Sequence, residues 1–521
     1  MRSSLAWLLP AAGCVAGASF ISDSLLASWA LVTAGFVLAG LGTRGPARTS
    51  LLVMLLLIGA AARLPYMLAH PESSDDIYRY VFEGRVWADG ENPFYFPPDS
   101  PRLAHLRDDV IHPRINNQEL ATIYPPAAHG LFVLAHFAGG TILSWKALLL
   151  ALELAAAILL GRHQMRHGKS LLAATLFFWN PLLIFESAEG GHVDAAGASM
   201  VLLALCIALS QRPFRASLLA IAACLVKPVP GPLLLLFCRG KRGLSGLVAG
   251  GIIAAGALCL ALMPPGNGVW KPTEQGVARC ADGRASIHFS DSKGTRIVED
   301  RPGSLQFEPG FHPRAAQVLG RYHLGVFGVQ HQPLLLTFDG GARVLVEDDE
   351  AASFYVDDTG FVVIFDRESN RTIARLQMSR DRAVLKGRIL EPFAGFPGPG
   401  DAVALKGAES PLMSWSLYLG RWEGFAPIHN AAMTLFGSRK NLGLAEAVLL
   451  VLLAIGLYLT KAPLAGSSLG LAAIPVLLTP VLYPWYLMWL LPGAVLLQRP
   501  AVRIFFASLL AAAPLMHLAP V

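Results

Sequence analysis

Charge is what this chain has least of. Only 15% of its 521 residues are Asp, Glu, Lys or Arg, while 54% are hydrophobic. An ordinary soluble domain carries about 25% charged residues. The shortage excludes a disordered chain, which stays unfolded through low hydrophobicity and high charge, and it argues against a simple soluble enzyme. Cysteine is also sparse. Cys14, Cys206, Cys224, Cys238 and Cys259 lie in apolar runs and Cys280 stands alone in a polar stretch. No disulfide or zinc spacing results, and they read as small core residues. A Walker loop and an H-E-x-x-H motif are missing, so P-loop and zinc-protease chemistry have no handle. No basic patch interleaved with aromatics supports nucleic-acid binding. The net charge of +6 fits positive loops beside membrane helices instead.

The charge that exists is uneven. Residues 270–413 hold 36 of the 78 charged residues, 17 basic and 19 acidic. That is about a quarter of the stretch, the soluble norm. The rest is apolar enough to sit in lipid. The expected architecture is a polytopic α-helical membrane protein with a soluble domain inserted in it.

Apolar runs at residues 5–21, 24–41, 50–69, 144–160, 171–185, 195–209, 244–263, 445–459, 469–482, 487–497 and 504–518 give, with shorter pieces, roughly 12 or 13 membrane segments. Arg44 with Arg48, the cluster Arg162 to Lys169, and Arg239 with Lys241 and Arg242 mark cytoplasmic loops. The loop at 70–125 then lies outside, and 126–138 is expected to lie at the outer interface. Residues 216–226 and 231–237 are split by Lys227-Pro-Val-Pro and read as a broken hairpin, tolerable where it lines a cavity. Within the insert, short β-branched and aromatic runs alternate with turn signals such as Asp282-Gly283 and Asp339-Gly-Gly, which suggests an extracytoplasmic β-rich domain. The division is thus 1–265 (N-terminal transmembrane region with the outer loop 70–125), 270–412 (the insert) and 413–521 (C-terminal transmembrane region).

The outer loop is the richest in chemistry. Asp75 and Asp76 are adjacent carboxylates just past the third span, and their mutual repulsion favours a raised pKa or a bound cation, Mg²⁺ or Mn²⁺. On a helix from Asp76, the residues Asp76, Arg79, Tyr80 and Glu83 share a face. The plainer alternative is an N-cap at Asp75 with ordinary ion pairs. Other loops expected on the same side carry Glu186, Glu189, His192 and Asp194; Lys227; Tyr418, Arg421, Trp422, His429 and Asn430; and Tyr483-Pro-Trp-Tyr. Individually, His192 and Asp194 could form a helix cap, and Tyr483, Trp485 and Tyr486 an interfacial aromatic belt. Ionisable residues at membrane depth are costly and usually functional, and their common side suggests one cleft.

The pieces Ser74-Asp-Asp-Ile-Tyr-Arg-Tyr with Glu83-Gly-Arg, Gly90-Glu-Asn-Pro-Phe, Thr122-Ile-Tyr-Pro-Pro, Trp179-Asn-Pro-Leu, Gly191-His-Val-Asp, Val226-Lys-Pro and Pro480-Val-Leu-Tyr-Pro-Trp-Tyr together resemble the polyprenyl-phosphate-dependent glycosyltransferases of the GT-C fold, most closely the bacterial α-mannosyltransferase branch. The resemblance spans about residues 50–265 and 413–495. It implies a hexosyltransferase, of mannosyltransferase type, that moves a sugar from a polyprenyl-phosphate donor to an extracytoplasmic hydroxyl on a lipid, glycan or protein acceptor, with inversion. It also implies a bacterial inner-membrane location with the site facing the periplasm. Asp76, with Asp75 as second choice, matches the family's acidic residue and is the expected base. Arg79, His192, Lys227 and Arg421 are expected phosphate ligands, and Tyr80, Glu83, Tyr124, Asp194, Tyr483, Trp485 and Tyr486 complete the expected substrate contacts. The insert departs from the family pattern. A lipid or solute transporter with an outer β domain is the competing reading. It needs similar halves and mid-span charges on several helices, whereas Arg63 and Glu153 are the main internal charges.

Overall fold

The structure, a computed structural model, describes residues 2–262 and 426–518 apart from 22–23, 95, 99–100, 119–120, 438, 461 and 481; between 275 and 407 it describes only the backbone of strand segments. Most of the described chain is helical. α1 (Arg2–Ala18), α2 (Leu25–Gly42) and α3 (Thr49–Leu68) come first. Ser24 starts α2 by accepting from Ala27 N, the usual device for the orphan amides of a first turn. Among the described residues five segments are long and apolar enough to cross a membrane: α2, α3, α6 (Ile142–Arg166), α11 (Lys241–Ala261) and Pro500–His517. Shorter apolar helices pack among them, including α9 (Asp194–Leu209) and α10 (Pro213–Cys224). This is a multi-pass membrane protein.

Several expected spans are interrupted. The expected segment at 171–185 is α7 (Leu172–Phe178), then a single turn, α8 (Pro181–Leu183), capped by the Asn180 side chain on Leu182 N at 3.0 Å, then a π-helical turn Ile184–Glu189. Widened turns of this kind recur at functional sites. The run around Lys227 forms two short helices, α10 and the 3₁₀ helix Gly231–Arg239, on either side of Lys227 to Pro230. After the insert, α12 (Pro427–Phe436) meets α13 (Arg439–Leu459) at a bend of 105°. α14 (Leu464–Leu478), a 3₁₀ helix Pro484–Leu490 running into α15 (Leu491–Leu496), α16 (Pro500–Ala511) and a last 3₁₀ turn Ala513–Leu518 close the chain.

The C-terminal helices dock back on the N-terminal ones. Asn180 Nδ2 donates to Ala507 O at 3.0 Å, and Trp29 Nε1 donates to Ala511 O at 2.8 Å. Inside the bundle, Arg63 and Glu153 face each other at 3.8 Å, both 1% exposed. Glu153 also accepts from Ser187, and Arg63 donates to the carbonyls of Gly59 and Phe178. Arg63 is thus tied to neighbouring backbone and Glu153 to a side chain, partners that a buried charge needs. Two stretches have the spacing of the G-x-G-x-x-G and G-x-S-x-G motifs, and both are structural here. Gly40-Leu-Gly-Thr-Arg-Gly ends a helix rather than following a strand. Gly466-Ser-Ser-Leu-Gly lies within α14, where Ser468 is buried and bonded to Ala465 O.

In the insert the backbone forms strand segments such as Gln275–Ala281, antiparallel to Arg284–Asp291, and Phe361–Asp366, antiparallel to Thr372–Met378. The packing of their side chains and the expected turns lie outside the described residues. A β-rich domain with its own core therefore remains an expectation.

Candidate active site

The outer loop folds into α4 (Asp76–Ala88), with Asp75 at its N-cap position. The Asp75 side chain makes no cap hydrogen bond. Instead Asn116 Nδ2 bridges the two acids, 2.8 Å from Asp75 Oδ1 and 2.8 Å from Asp76 Oδ1. Asp75 is exposed and Asp76 half-buried. The Tyr80 hydroxyl lies 3.4 Å from Asp76 Oδ2, and the Tyr124 hydroxyl 3.4 Å from that of Tyr80. Burial raises the pKa of both phenols well above their usual value and keeps them protonated. Asp76 is thus the carboxylate aimed into the protein.

One turn on, Arg79 holds the loop in place. Its guanidinium meets Glu83 at 3.2 Å and donates to the carbonyls of Asn116 and Asn117 at 2.7 and 2.6 Å. Asn117 takes the left-handed φ of 44° that this short loop requires. Glu83 Oε2 accepts from Thr122 at 2.8 Å. Burial pushes the Glu83 carboxyl up to about 7 despite the neighbouring Arg79. His129 on α5 (Pro126–Phe137) lies 3.9 Å from Glu83, but burial lowers its pKa to about 3. That contact joins a neutral ring to the acid and is not an ion pair.

The facing side is assembled from distant segments. Asp194 begins α9, where the helix dipole favours an acid. It is 1% exposed and receives Lys227 Nζ on both oxygens at 3.0 Å and Trp489 Nε1 at 2.6 Å. Lys227 also lies over the Tyr486 ring at 4.1 Å. Gly197, one turn into α9, makes room for Trp489: a Cβ there would sit 2.0 Å from the indole. His192 stacks on Trp485 at 4.0 Å, and Trp485 on Tyr483 at 4.3 Å.

The two sides are joined directly. Gly191, at φ +72°, touches Ile77 on α4 so closely that a Cβ would come within 2.3 Å of it. Trp145 donates to Gly191 O at 2.6 Å and packs edge-on to Tyr80 at 5.3 Å. Glu189 accepts from Glu72 N, Ser73 N and the Ser73 hydroxyl, so it latches the start of the outer loop. Asp76 and Asp194 both add negative potential at His192.

The structure therefore gathers Asp75, Asp76, Arg79, Tyr80, Glu83 and Tyr124 on one side and His192, Asp194, Lys227, Tyr483, Trp485 and Tyr486 on the other. Arg421, with Tyr418 and Trp422, lies outside the described residues. His429 is buried and bonded to Leu478 O at 2.7 Å, and Asn430 is exposed. Sequence reasoning did not find Asn116, Trp489 or His517. The Asn116-Asn pair was the available hint, because a lone polar pair in a short loop often carries a turn.

The donor set does not fit a resident Mg²⁺ or Mn²⁺. An amide N–H group already bridges the paired carboxylates, and among the described residues no group of three or more His, Cys, Asp or Glu converges.

The tyrosine-flanked acid Asp76 thus lies on one side of the site, with Lys227 and His192 on the other. Residues 7–238 match the MptA_B family, alpha-(1->6)-mannopyranosyltransferase, N-terminal domain. Over these residues the resemblance drawn from the loop motifs is borne out: the match supports a glycosyltransferase of the bacterial α-mannosyltransferase type. No curated protein and no solved structure matches the chain. The matched residues include Asp75, Asp76, His192, Asp194 and Lys227, whereas Tyr483, Trp485, Tyr486 and Trp489 come from beyond them.

Proposed function

We propose that the protein transfers mannose from a polyprenyl-phosphate donor to an acceptor hydroxyl outside the cytoplasm, with inversion at the anomeric carbon. Asp76 takes the proton of the acceptor hydroxyl as its oxygen attacks the anomeric carbon. The bond from that carbon to the phosphate oxygen breaks, and its electron pair leaves with the lipid phosphate. A phosphate is already a good leaving group, so the chemistry asks for a base on one side and positive charge on the other.

One observation carries this reading. The half-buried carboxylate of Asp76 is held by Asn116 and Tyr80, and Lys227 and His192 lie on the opposing segments. Lys227 and His192 are the proposed phosphate ligands, since charge-assisted contacts are the strong ones. Arg79 is better suited to hold the loop, because its guanidinium already meets Glu83, Asn116 and Asn117. Tyr483, Trp485 and Tyr486 form an aromatic wall for the sugar or the first isoprene units. The proposed setting is the bacterial inner membrane, with this end facing the periplasm. The insert at 270–412 is proposed to recognise the acceptor, and replacing it with a short linker should abolish transfer to the natural acceptor.

The test is a donor panel. Purified protein should release free lipid phosphate from polyprenyl-phosphate mannose and leave a sugar-nucleotide mannose untouched. Turnover of the sugar nucleotide instead would refute the donor assignment.

A further inference from the structure

We propose that Glu186 and His517 act as positioning residues that fix the His192 imidazole so that its Nε2 donates to the phosphate of the lipid substrate. This rests on reading that substrate as a polyprenyl phosphate.

Three observations carry it. First, the His192 ring is fully buried, and its two nitrogens are treated differently. Nδ1 lies 3.1 Å from the Glu186 main-chain carbonyl and 3.1 Å from Glu186 Oε2. Both partners accept, so Nδ1 carries a proton. The carboxylate oxygen is close enough for strong attraction but off the hydrogen-bond line, so the carbonyl receives the bond. Nε2 is buried with no hydrogen-bond partner among the described residues. A histidine kept for packing normally satisfies both nitrogens, and a buried orphan calls for an explanation.

Second, Glu186 is itself fully buried and is held from its other oxygen by His517 Nε2 at 3.0 Å. His517 comes from the last turn, Ala513–Leu518, across 331 residues of chain. Held from its far oxygen, the buried Glu186 carboxylate is fixed in place beside the His192 ring.

Third, the surroundings favour a cation at His192. Its ring stacks on Trp485 at 4.0 Å with 15° between the planes, and an aromatic face attracts a cation. Among the described residues, the charged and titratable groups that act on it are Glu186 on its own turn, Asp76 on α4, Asp194 at the head of α9 with Lys227 on it, and His517. Among the described residues these three carboxylates outnumber Lys227, which favours positive charge on the His192 ring. The proton on Nε2 then has an anionic oxygen to meet only when substrate is bound.

The experiment compares binding of a prenyl phosphate with that of the matching uncharged prenyl alcohol, using the full chain in detergent. Wild type should prefer the phosphate. His192→Gln should cut that preference by about 10-fold or more, the usual range for a charge-assisted hydrogen bond. Glu186→Gln and His517→Ala should each cut it several-fold while leaving alcohol binding unchanged. His517→Gln, which keeps a donor for Glu186, should restore most of the preference. Equal loss of phosphate and alcohol binding in Glu186→Gln and His517→Ala would mean a packing role and overturn the inference. So would full retention of the preference in both. A wild type that prefers neither ligand would instead overturn the polyprenyl-phosphate reading itself.

Discussion

The two sides of the site are built in opposite ways. The α4 side is local: residues 75–83 form one helix start, and a loop about 40 residues on closes over it through Asn116. It is partly open, and its charges are balanced within the loop by Arg79 against Glu83. The facing side is composite and buried, drawing Asp194, Lys227 and Trp489 from three separate segments. The difference separates reactivity from support. An exposed or half-buried acid is free to exchange a proton, whereas a buried ion pair with fixed partners holds geometry and charge.

If that contrast is right, the α4 side should lose chemistry without losing fold. Asp76→Asn should lower turnover by about 10²- to 10⁴-fold, the usual contribution of a general base, with the melting temperature in detergent nearly unchanged. A variant that unfolds would show that Asp76 supports structure instead. On the facing side stability and transfer should fall together. Lys227→Met strands the buried Asp194 and should cost about 3–5 kcal/mol of stability, read as a fall in thermal midpoint. Adding Asp194→Asn should recover part of the stability but not the transfer activity.

The next effect is smaller and sharpens the facing side. A methyl at residue 197 collides with Trp489, so Gly197→Ala should cost about 1–3 kcal/mol as overpacking and weaken transfer by displacing the indole from Asp194. On the α4 side, stability should depend on pH through Glu83. Burial raises its carboxyl from 4.5 to about 7, so between those values the folded chain keeps a proton that the unfolded chain releases. Stability therefore falls as pH rises through that window, and Glu83→Gln should flatten the slope. The smallest expected effect is none. Because Asn116 bridges Asp75 and Asp76, a chelator should leave transfer unchanged, and a loss restored by Mg²⁺ or Mn²⁺ would break that account.

The same contrast explains what could be read from the sequence. Asp75, Asp76, Arg79, Tyr80 and Glu83 follow one another at helical spacing, so their shared face was legible from i, i+3 and i+4 positions alone. Lys227 followed by Pro228 and Pro230 announced its broken hairpin. The partners of these residues were not legible. Trp489 reaches Asp194 across 295 residues and His517 reaches Glu186 across 331, and each depends on how short helices dock. Asn116 sits in a loop with no periodicity to place it. The expected spans were legible as apolar runs, but not their breaks at Asn180 and Ile184, because hydropathy does not register a cap or a widened turn.

The central claim is that Asp76 serves the transfer step while the opposing segments bind the lipid phosphate. It is tested most directly by single-turnover transfer from a labelled polyprenyl-phosphate mannose with wild type and Asp76→Asn side by side, together with prenyl-phosphate binding by each. The account predicts that Asp76→Asn binds the phosphate as wild type does and transfers almost no mannose. Transfer at a near-wild-type rate by Asp76→Asn would contradict it.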